Sequence, residues 1–193
     1  VNLLRPRHLA AATAALVLAA SLAGCGSAGI GASSPSATPT PSTPSGTIPT
    51  ASAGGAVVPY AGTVGTGVSV VGKTQHEPKV TIAKGAPKPT ALITTDLVIG
   101  TGATATATSQ VTVSYVGVNF TTGKVFNNTY PTGQTLTIGV NQVIDGWKQG
   151  IPGMKVGGVR ALSVPASLAY GDSPPDISVA GPLVFVVELQ SLS

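Results

Sequence analysis

The stretch that most constrains the fold is Val143-Ile144-Asp145-Gly146-Trp147-Lys148-Gln149-Gly150-Ile151-Pro152-Gly153. Val143, Ile144, Trp147 and Ile151 recur at the spacing of one helical face, and Lys148 and Gln149 fall on the other. Asp145 is the expected N-cap, and Pro152-Gly153 ends the helix. That leaves about two turns, fewer than the roughly 12–15 residues an isolated helix needs in water. Packing must therefore hold it, and Trp147, the only Trp of the chain, is its anchor.

The residues after Pro78 read as strands that cover this helix. Lys79–Ala83 has the length of an edge strand, and Leu92–Gly100 is β-branched and apolar. Gln110–Phe120 alternates Val111, Val113, Tyr115 and Gly117 against Thr112, Ser114, Val116 and Val118. Thr121–Lys124 is a turn that returns through Val125-Phe126-Asn127. Thr135–Gly139, Val159–Val164 and Leu183–Leu192 are further strands, with a Pro-rich loop at Asp172–Pro182. Strands joined by hairpin turns around one helix give an α+β class: an antiparallel β-sheet half-barrel wrapped around a short helix.

The amino-terminal third has a different character. Arg5 and Arg7 precede an apolar run from Leu9 to Ala20, too short for the roughly 20 residues of a spanning helix. Leu22-Ala23-Gly24-Cys25 then resembles a bacterial lipobox, so residues 1–24 are expected to be a lipoprotein signal peptide with Cys25 as the lipidated residue. The implied location is the outer face of the bacterial cytoplasmic membrane. Residues 25–77 are expected to be a linker. Ser33–Pro49 is Ser, Thr and Pro with little to bury, and glycines interrupt the apolar residues of Val57–Val71. The folded domain is then expected at 78–193.

Charge and cysteine content narrow the function. Arg5 and Arg7 carry half of the formal charge of +4, and the remaining Lys and Arg residues are dispersed. No basic stripe with interleaved aromatics suggests nucleic-acid binding. Cys25 is the only cysteine, which excludes intrachain disulfides, Cys-rich metal sites and redox pairs. No His lies in 78–193, and no Ser-His-Asp set, metal-spaced cluster or phosphate-cradling loop appears there. No metal and no cofactor are expected. Asp172 and Asp176 lie close together but in a loop that reads as solvated. What remains is aromatics on strands facing one helix Trp. Taken singly, each aromatic reads as core; together they suggest a pocket.

These residues carry a family resemblance. Val113-Ser114-Tyr115-Val116-Gly117, Gly123-Lys124-Val125-Phe126, Val143-Ile144-Asp145-Gly146-Trp147, Gly153-Met154-Lys155-Val156-Gly157-Gly158, Pro165, Leu168-Ala169-Tyr170-Gly171 and Leu183–Leu189 resemble, in order and spacing, the FKBP family of peptidyl-prolyl cis-trans isomerases. The resemblance spans about 78–193. It implies a half-barrel around the helix with an apolar pocket for a proline ring. Tyr115, Phe126, Asn127, Tyr170 and Phe185 would be the catalytic set, and Val143, Ile144, Trp147 and Ile177 would bind substrate. Trp147 would be the floor, and the Tyr170 hydroxyl would meet a substrate carbonyl. The implied partners are Pro-containing polypeptides and macrolides of the tacrolimus and rapamycin type, with the chain acting as a monomer. Asn127 stands where active members usually carry Asp, Gln134 and Leu136 replace frequent aromatics, and the Asp172–Pro182 loop is slightly short. The expected activity is isomerisation of X-Pro bonds in exported proteins. The alternative is a catalytically weak module that holds Pro-containing segments, which Asn127 favours.

Overall fold

A computed structural model of the chain describes residues 50–51 and 57–193. The expected signal peptide, Cys25 and most of the expected linker lie outside the described residues. The strands are β1 (Thr50–Ala51), β2 (Pro59–Thr63), β3 (Val68–Lys73), β4 (Lys79–Ile82), β5 (Ile93–Gly100), β6 (Gln110–Asn119), β7 (Val125–Asn128), β8 (Leu136–Gly139), β9 (Val159–Val164) and β10 (Leu183–Leu192). One α-helix, α1 (Asp145–Gly150), sits between β8 and β9.

Seven strands form one sheet in the order β1-β5-β9-β10-β6-β7, with β8 also paired to β6. All pairs are antiparallel except β1 with β5. The second half of the chain thus adopts the expected architecture, with a single short helix against an antiparallel sheet. β10 lies between β9 and β6, and its residues from Leu183 to Leu189 are all buried. Side chains alternate between faces along a strand. Leu183, Phe185, Val187 and Leu189 pack with Trp147 and Ile151 of the helix region. Val184 and Val186 pack on the opposite face.

That opposite face is where the structure departs from the sequence reading. Residues 57–77 are not a linker. β2, β3 and β4 form a second, three-stranded antiparallel sheet. Tyr60, Val64, Val68 and Val70 are buried against Leu97, Val116, Val118, Val184 and Val186 of the large sheet. The glycines that suggested a flexible segment have a definite place. Gly65 and Gly67, with φ of 67° and 78°, make the turn between β2 and β3. Burying each of the large apolar side chains contributes about 1.5–3 kcal/mol, which a segment without a partner surface could not gain.

A carboxylate joins the two layers. Glu188 on β10 is 3% exposed. Its Oε1 and Oε2 accept the Gln75 backbone N–H at 3.0 and 2.8 Å, and Oε2 accepts the Tyr130 hydroxyl at 3.3 Å. Burial pushes the Glu188 pKa up, opposed by the Gln75 hydrogen bond. Burial likewise raises the Tyr130 pKa, with the Glu188 charge adding to the rise.

The helix also differs in one detail. Ile144, not Asp145, is the N-cap, and no side chain caps it. Asp145 is the first helical residue and pairs with Lys148 at 2.9 Å. A carboxylate there still meets the positive end of the helix dipole.

Candidate active site

The short helix is held by the sheet at its C-terminal end. The Trp147 N–H donates to Ile144 O at 2.9 Å, and the Ile151 N–H closes the last turn on Trp147 O. Beyond that, the final carbonyls of a helix have no intrahelical donor. Arg160 on β9 supplies one: its Nη1 donates to Gly150 O at 2.8 Å and to Pro152 O at 3.3 Å. Its Nε and Nη2 donate to Asp96 Oδ1 and Oδ2 at 2.6 and 3.0 Å. The guanidinium is therefore fixed by β5 and β9 and fixes α1 in turn.

Trp147, so placed, meets the inner face of the sheet. Its ring centroid is 5.2 Å from Tyr115 on β6 and 5.4 Å from Phe185 on β10, edge-to-face at 87° and 84°. Phe126 on β7 stands edge-to-face with Phe185 at 5.7 Å and 89°. Edge-to-face pairs at these separations contribute about 0.5–1.5 kcal/mol beyond area burial. Gly117 makes room for Phe126: a Cβ there would lie 2.5 Å from Phe126 Cζ. The β6–β7 register shifts between Gly117 and Val118, opposite the β7 residues that carry Phe126 and Asn127.

These rings enclose a cleft of about 390 Å³. Tyr115, Phe126, Asn127, Val143, Ile144, Trp147, Tyr170 and Phe185, eight of the nine site residues named for the domain, all line it. Ile177 does not. It lies in a 3₁₀ turn of the Asp172–Pro182 loop and is 78% exposed. The Asp176 side chain accepts the Ser178 N–H at 2.9 Å and turns the chain there, so Ile177 faces solvent instead of the cleft.

Three further residues line it: Leu136, noted in the sequence only as replacing a frequent aromatic, and Ile138 and Gln142, which were not anticipated. Leu136 and Ile138 are two apart on β8 and so share a face. That alternation was present in the sequence; for Gln142 no sequence signal exists.

No Asp, Glu, Lys, Arg or His lines the cleft. Its polar groups are the Tyr115 and Tyr170 hydroxyls, the Asn127 and Gln142 amides, and the Trp147 indole. Trp147 Nε1 is buried without a hydrogen-bond partner. Tyr170 is 51% exposed at the rim. Burial pushes the Tyr115 pKa up, with the neighbouring Tyr170 adding to the rise, so its hydroxyl keeps its proton at neutral pH. Among the described residues, no hydrogen bond joins the Asn127 side chain to the rest of the protein, and no cluster of His, Cys, Asp and Glu could hold a metal. The arrangement can enclose an apolar ring and offer neutral hydrogen bonds to an amide. It has no group for proton transfer near neutral pH.

The chain is similar to known proteins. A family model described as FKBP-type peptidyl-prolyl cis-trans isomerase matches residues 102–190. A "Probable FK506-binding protein" of Corynebacterium glutamicum is 41% identical over 117 residues, covering 60% of this chain and 98% of that relative. An "FK506-binding protein" of Streptomyces anulatus is 43% identical over 119 residues, covering 59% and 95%. A crystal structure of FkpA from Escherichia coli superposes with a TM-score of 0.50 at 34% identity, covering 57% of this chain and 53% of that one.

Proposed function

Because the chain belongs to the family of FKBP-type peptidyl-prolyl cis-trans isomerases, we propose that its cleft seats the proline of an extended, exported polypeptide and catalyses rotation about the preceding X-Pro bond. The observation that carries this reading is a cleft walled by four mutually packed aromatic rings and lined by no charged side chain. Rotation about an amide needs neither acid nor base. It is opposed by resonance, with a barrier of about 18–20 kcal/mol, and an X-Pro bond crosses it unaided in tens to hundreds of seconds.

An apolar cleft acts on this barrier through solvation. The planar amide is more polar than the twisted one, so withdrawing water costs the ground state more than the transition state. Only such differential binding accelerates the step, and each 1.36 kcal/mol of it is worth about tenfold in rate. In this reading Trp147 lies under the pyrrolidine ring, and Tyr115, Phe126 and Phe185 form the walls. Val143 and Ile144 border the ring, and the exposed Tyr170 hydroxyl donates to a substrate carbonyl. Asn127 supplies a neutral amide at the cleft wall.

The test is acceleration of a proline-limited refolding reaction by the chain and by Phe126→Ala. We expect kcat/KM to fall by about tenfold or more in the variant, the loss of at least 1.36 kcal/mol of transition-state binding. An unchanged rate with an intact fold would remove the cleft from the chemistry. A second reading, a module that binds Pro-containing segments with little catalysis, is favoured by Asn127, whose side chain has no partner among the described residues. Peptide binding without rate acceleration would support it.

The remaining proposals concern location and ligands. Arg5, Arg7, the Leu9–Ala20 run and Leu22-Ala23-Gly24-Cys25 support export and lipidation of Cys25, with the domain tethered outside the cytoplasmic membrane. Cys25→Ala should abolish incorporation of labelled lipid; unchanged labelling would refute it. The relatives named FK506-binding proteins support macrolides of that type as ligands of the same cleft and hence as competitive inhibitors. The chain is proposed to act as a monomer, which sedimentation would check.

A further inference from the structure

We propose that Asn119 is a positioning residue that sets the substrate-contacting rim of the cleft; this rests on the isomerase reading above. Asn119 ends β6, lines no part of the cleft and is 3% exposed. Its side chain uses every polar valence it has. Nδ2 donates to Ser178 O at 3.1 Å and to Ala180 O at 2.9 Å. Oδ1 accepts the Thr121 and Thr122 N–H groups, both at 3.0 Å.

The two halves of the amide hold two different loops. The acceptor half shapes the β6–β7 turn, which delivers Phe126 and Asn127 to the cleft. The donor half holds the Asp172–Pro182 loop, which carries the exposed Ile177. The next residue after Ala180, Gly181, donates its N–H to Gly171 O at 2.8 Å. Gly171 directly follows Tyr170, which lines the cleft and is half exposed. A continuous path of hydrogen bonds and peptide units thus runs from the Asn119 amide to the Tyr170 rim. Besides this clamp, the Phe120 N–H holds Pro182 O at 3.0 Å and Val179 packs on the core beside the helix, while the Asp176 cap on Ser178 and the Gly181–Gly171 bond close the loop on itself.

Asp is the informative replacement. A carboxylate in the place of the amide can still accept from Thr121 and Thr122, but when ionised it has no donor for Ser178 O and Ala180 O. The β6–β7 turn is kept and the loop is loosened at Ser178 and Ala180, its other anchors at Pro182 and Val179 remaining. A longer polypeptide touches the rim beyond its proline ring, whereas a minimal X-Pro peptide is held by the cleft. Losing interactions made equally in ground and transition states raises KM and leaves kcat unchanged.

The experiment measures kcat and KM for the chain and for Asn119→Asp on a short X-Pro peptide and on a long unfolded polypeptide, with amide exchange at Gly181. Expected are a KM raised about three- to tenfold on the long substrate, a kcat within about twofold on the short one, and faster exchange at Gly181. Faster exchange with unchanged KM on both substrates would overturn the proposal. So would a proportional fall of kcat on both, the mark of lost folded protein. If Asn119→Asp does not fold, Asn119→Ser gives the same readouts, because its single hydroxyl donor cannot replace the two amide donor bonds to Ser178 O and Ala180 O. If the unsubstituted chain accelerates neither substrate, the isomerase reading falls. The Kd of the long chain then replaces KM, and an unchanged Kd in the variant overturns the role of Asn119.

Discussion

Replacing Arg160 by Met should loosen α1 more than anything done to its exposed face. The Arg160 side chain is 13% exposed, and that of its partner Asp96 is 39% exposed. A hydrogen bond from a charged donor contributes about 1.5–3 kcal/mol, and the 2.8 Å bond to Gly150 O is the one that counts in full. The 3.3 Å bond to Pro152 O is weaker. The bidentate pair with Asp96 is discounted to about 1 kcal/mol or less, because water reaches that carboxylate. The Met stem fills much of the same space, so packing loss is small. The total is about 2–4 kcal/mol out of a stability of roughly 5–15 kcal/mol, or a Tm lower by about 8–16 °C at about 4 °C per kcal/mol. Urea unfolding followed by the single Trp147 reports on the helix directly. Asp96→Asn should cost only about 1 kcal/mol or less, since the carbonyl bonds survive. A loss below about 0.5 kcal/mol in Arg160→Met would refute the clamp. Equal losses in the two variants would place the effect in the ion pair instead of the helix end.

Four further outcomes are expected. The Glu188 pKa is raised in the folded state, chiefly by burial, with Gln75 N–H, Tyr130 and His76 opposing and with Tyr60 and Glu77 also facing the cluster. Its contribution to stability is therefore complete below the ordinary 4.5 and is lost as pH rises through the raised folded value. Glu188→Gln should flatten that decline in urea titrations from pH 4 to about 8, and an unchanged slope would refute it. Isomerase activity should be flat from about pH 5.5 to 8, because no carboxylate, histidine or amine side chain lines the cleft, whereas a bell-shaped profile would reveal acid–base chemistry. Asn127→Asp should raise kcat/KM or macrolide affinity about five- to tenfold, the worth of about 1 kcal/mol between a neutral and a charged hydrogen bond; equal or lower values with unchanged folding would show that Asn127 does not limit the site. Limited proteolysis should leave a core that begins near Val57, and survival of a stable core beginning at Pro78 would show the β2–β3 layer to be dispensable.

The site was legible because its chemistry is written in rare residues. The chain has one Trp and three Phe, and the structure brings Trp147, Phe126 and Phe185 together with Tyr115 in one cleft. Strand alternation put Tyr115 on the helix side, and the turn at Thr121–Lys124 put Phe126 beside it. What stayed hidden depends on contacts that no local pattern encodes. Ile177 looked like a lining residue because it is the largest apolar residue of a Pro-rich loop, yet the loop closes through Asp176, Asn119 and Gly171. Asn119 itself is one polar residue at a strand end, and its partners at Ser178 and Ala180 are some 60 residues away in sequence. Asp145 looked like a cap because Asp favours that place, but the extended backbone at Val143 and Ile144 puts the cap at Ile144 and makes Asp145 the first helical residue.

The second layer was legible too, in a signal that points the other way from composition. A sheet with one wet face alternates apolar and polar residues, whereas a strand covered on both faces reads as an unbroken apolar run. Leu183-Val184-Phe185-Val186-Val187 is such a run, and on β6 both Val113 and its opposite-face neighbours Val116 and Val118 are apolar. One helix of six residues can cover one face of this sheet, not two. Something else in the chain must therefore cover Val116, Val118, Val184 and Val186. The apolar residues without another place were those at 57–71, which look like linker only because glycines separate them. The uncovered back face of the sheet is therefore the place of β2–β4, despite their glycines. That placement also explains why Glu188, the one carboxylate on β10, lies where the second layer ends and takes the Gln75 N–H in place of water.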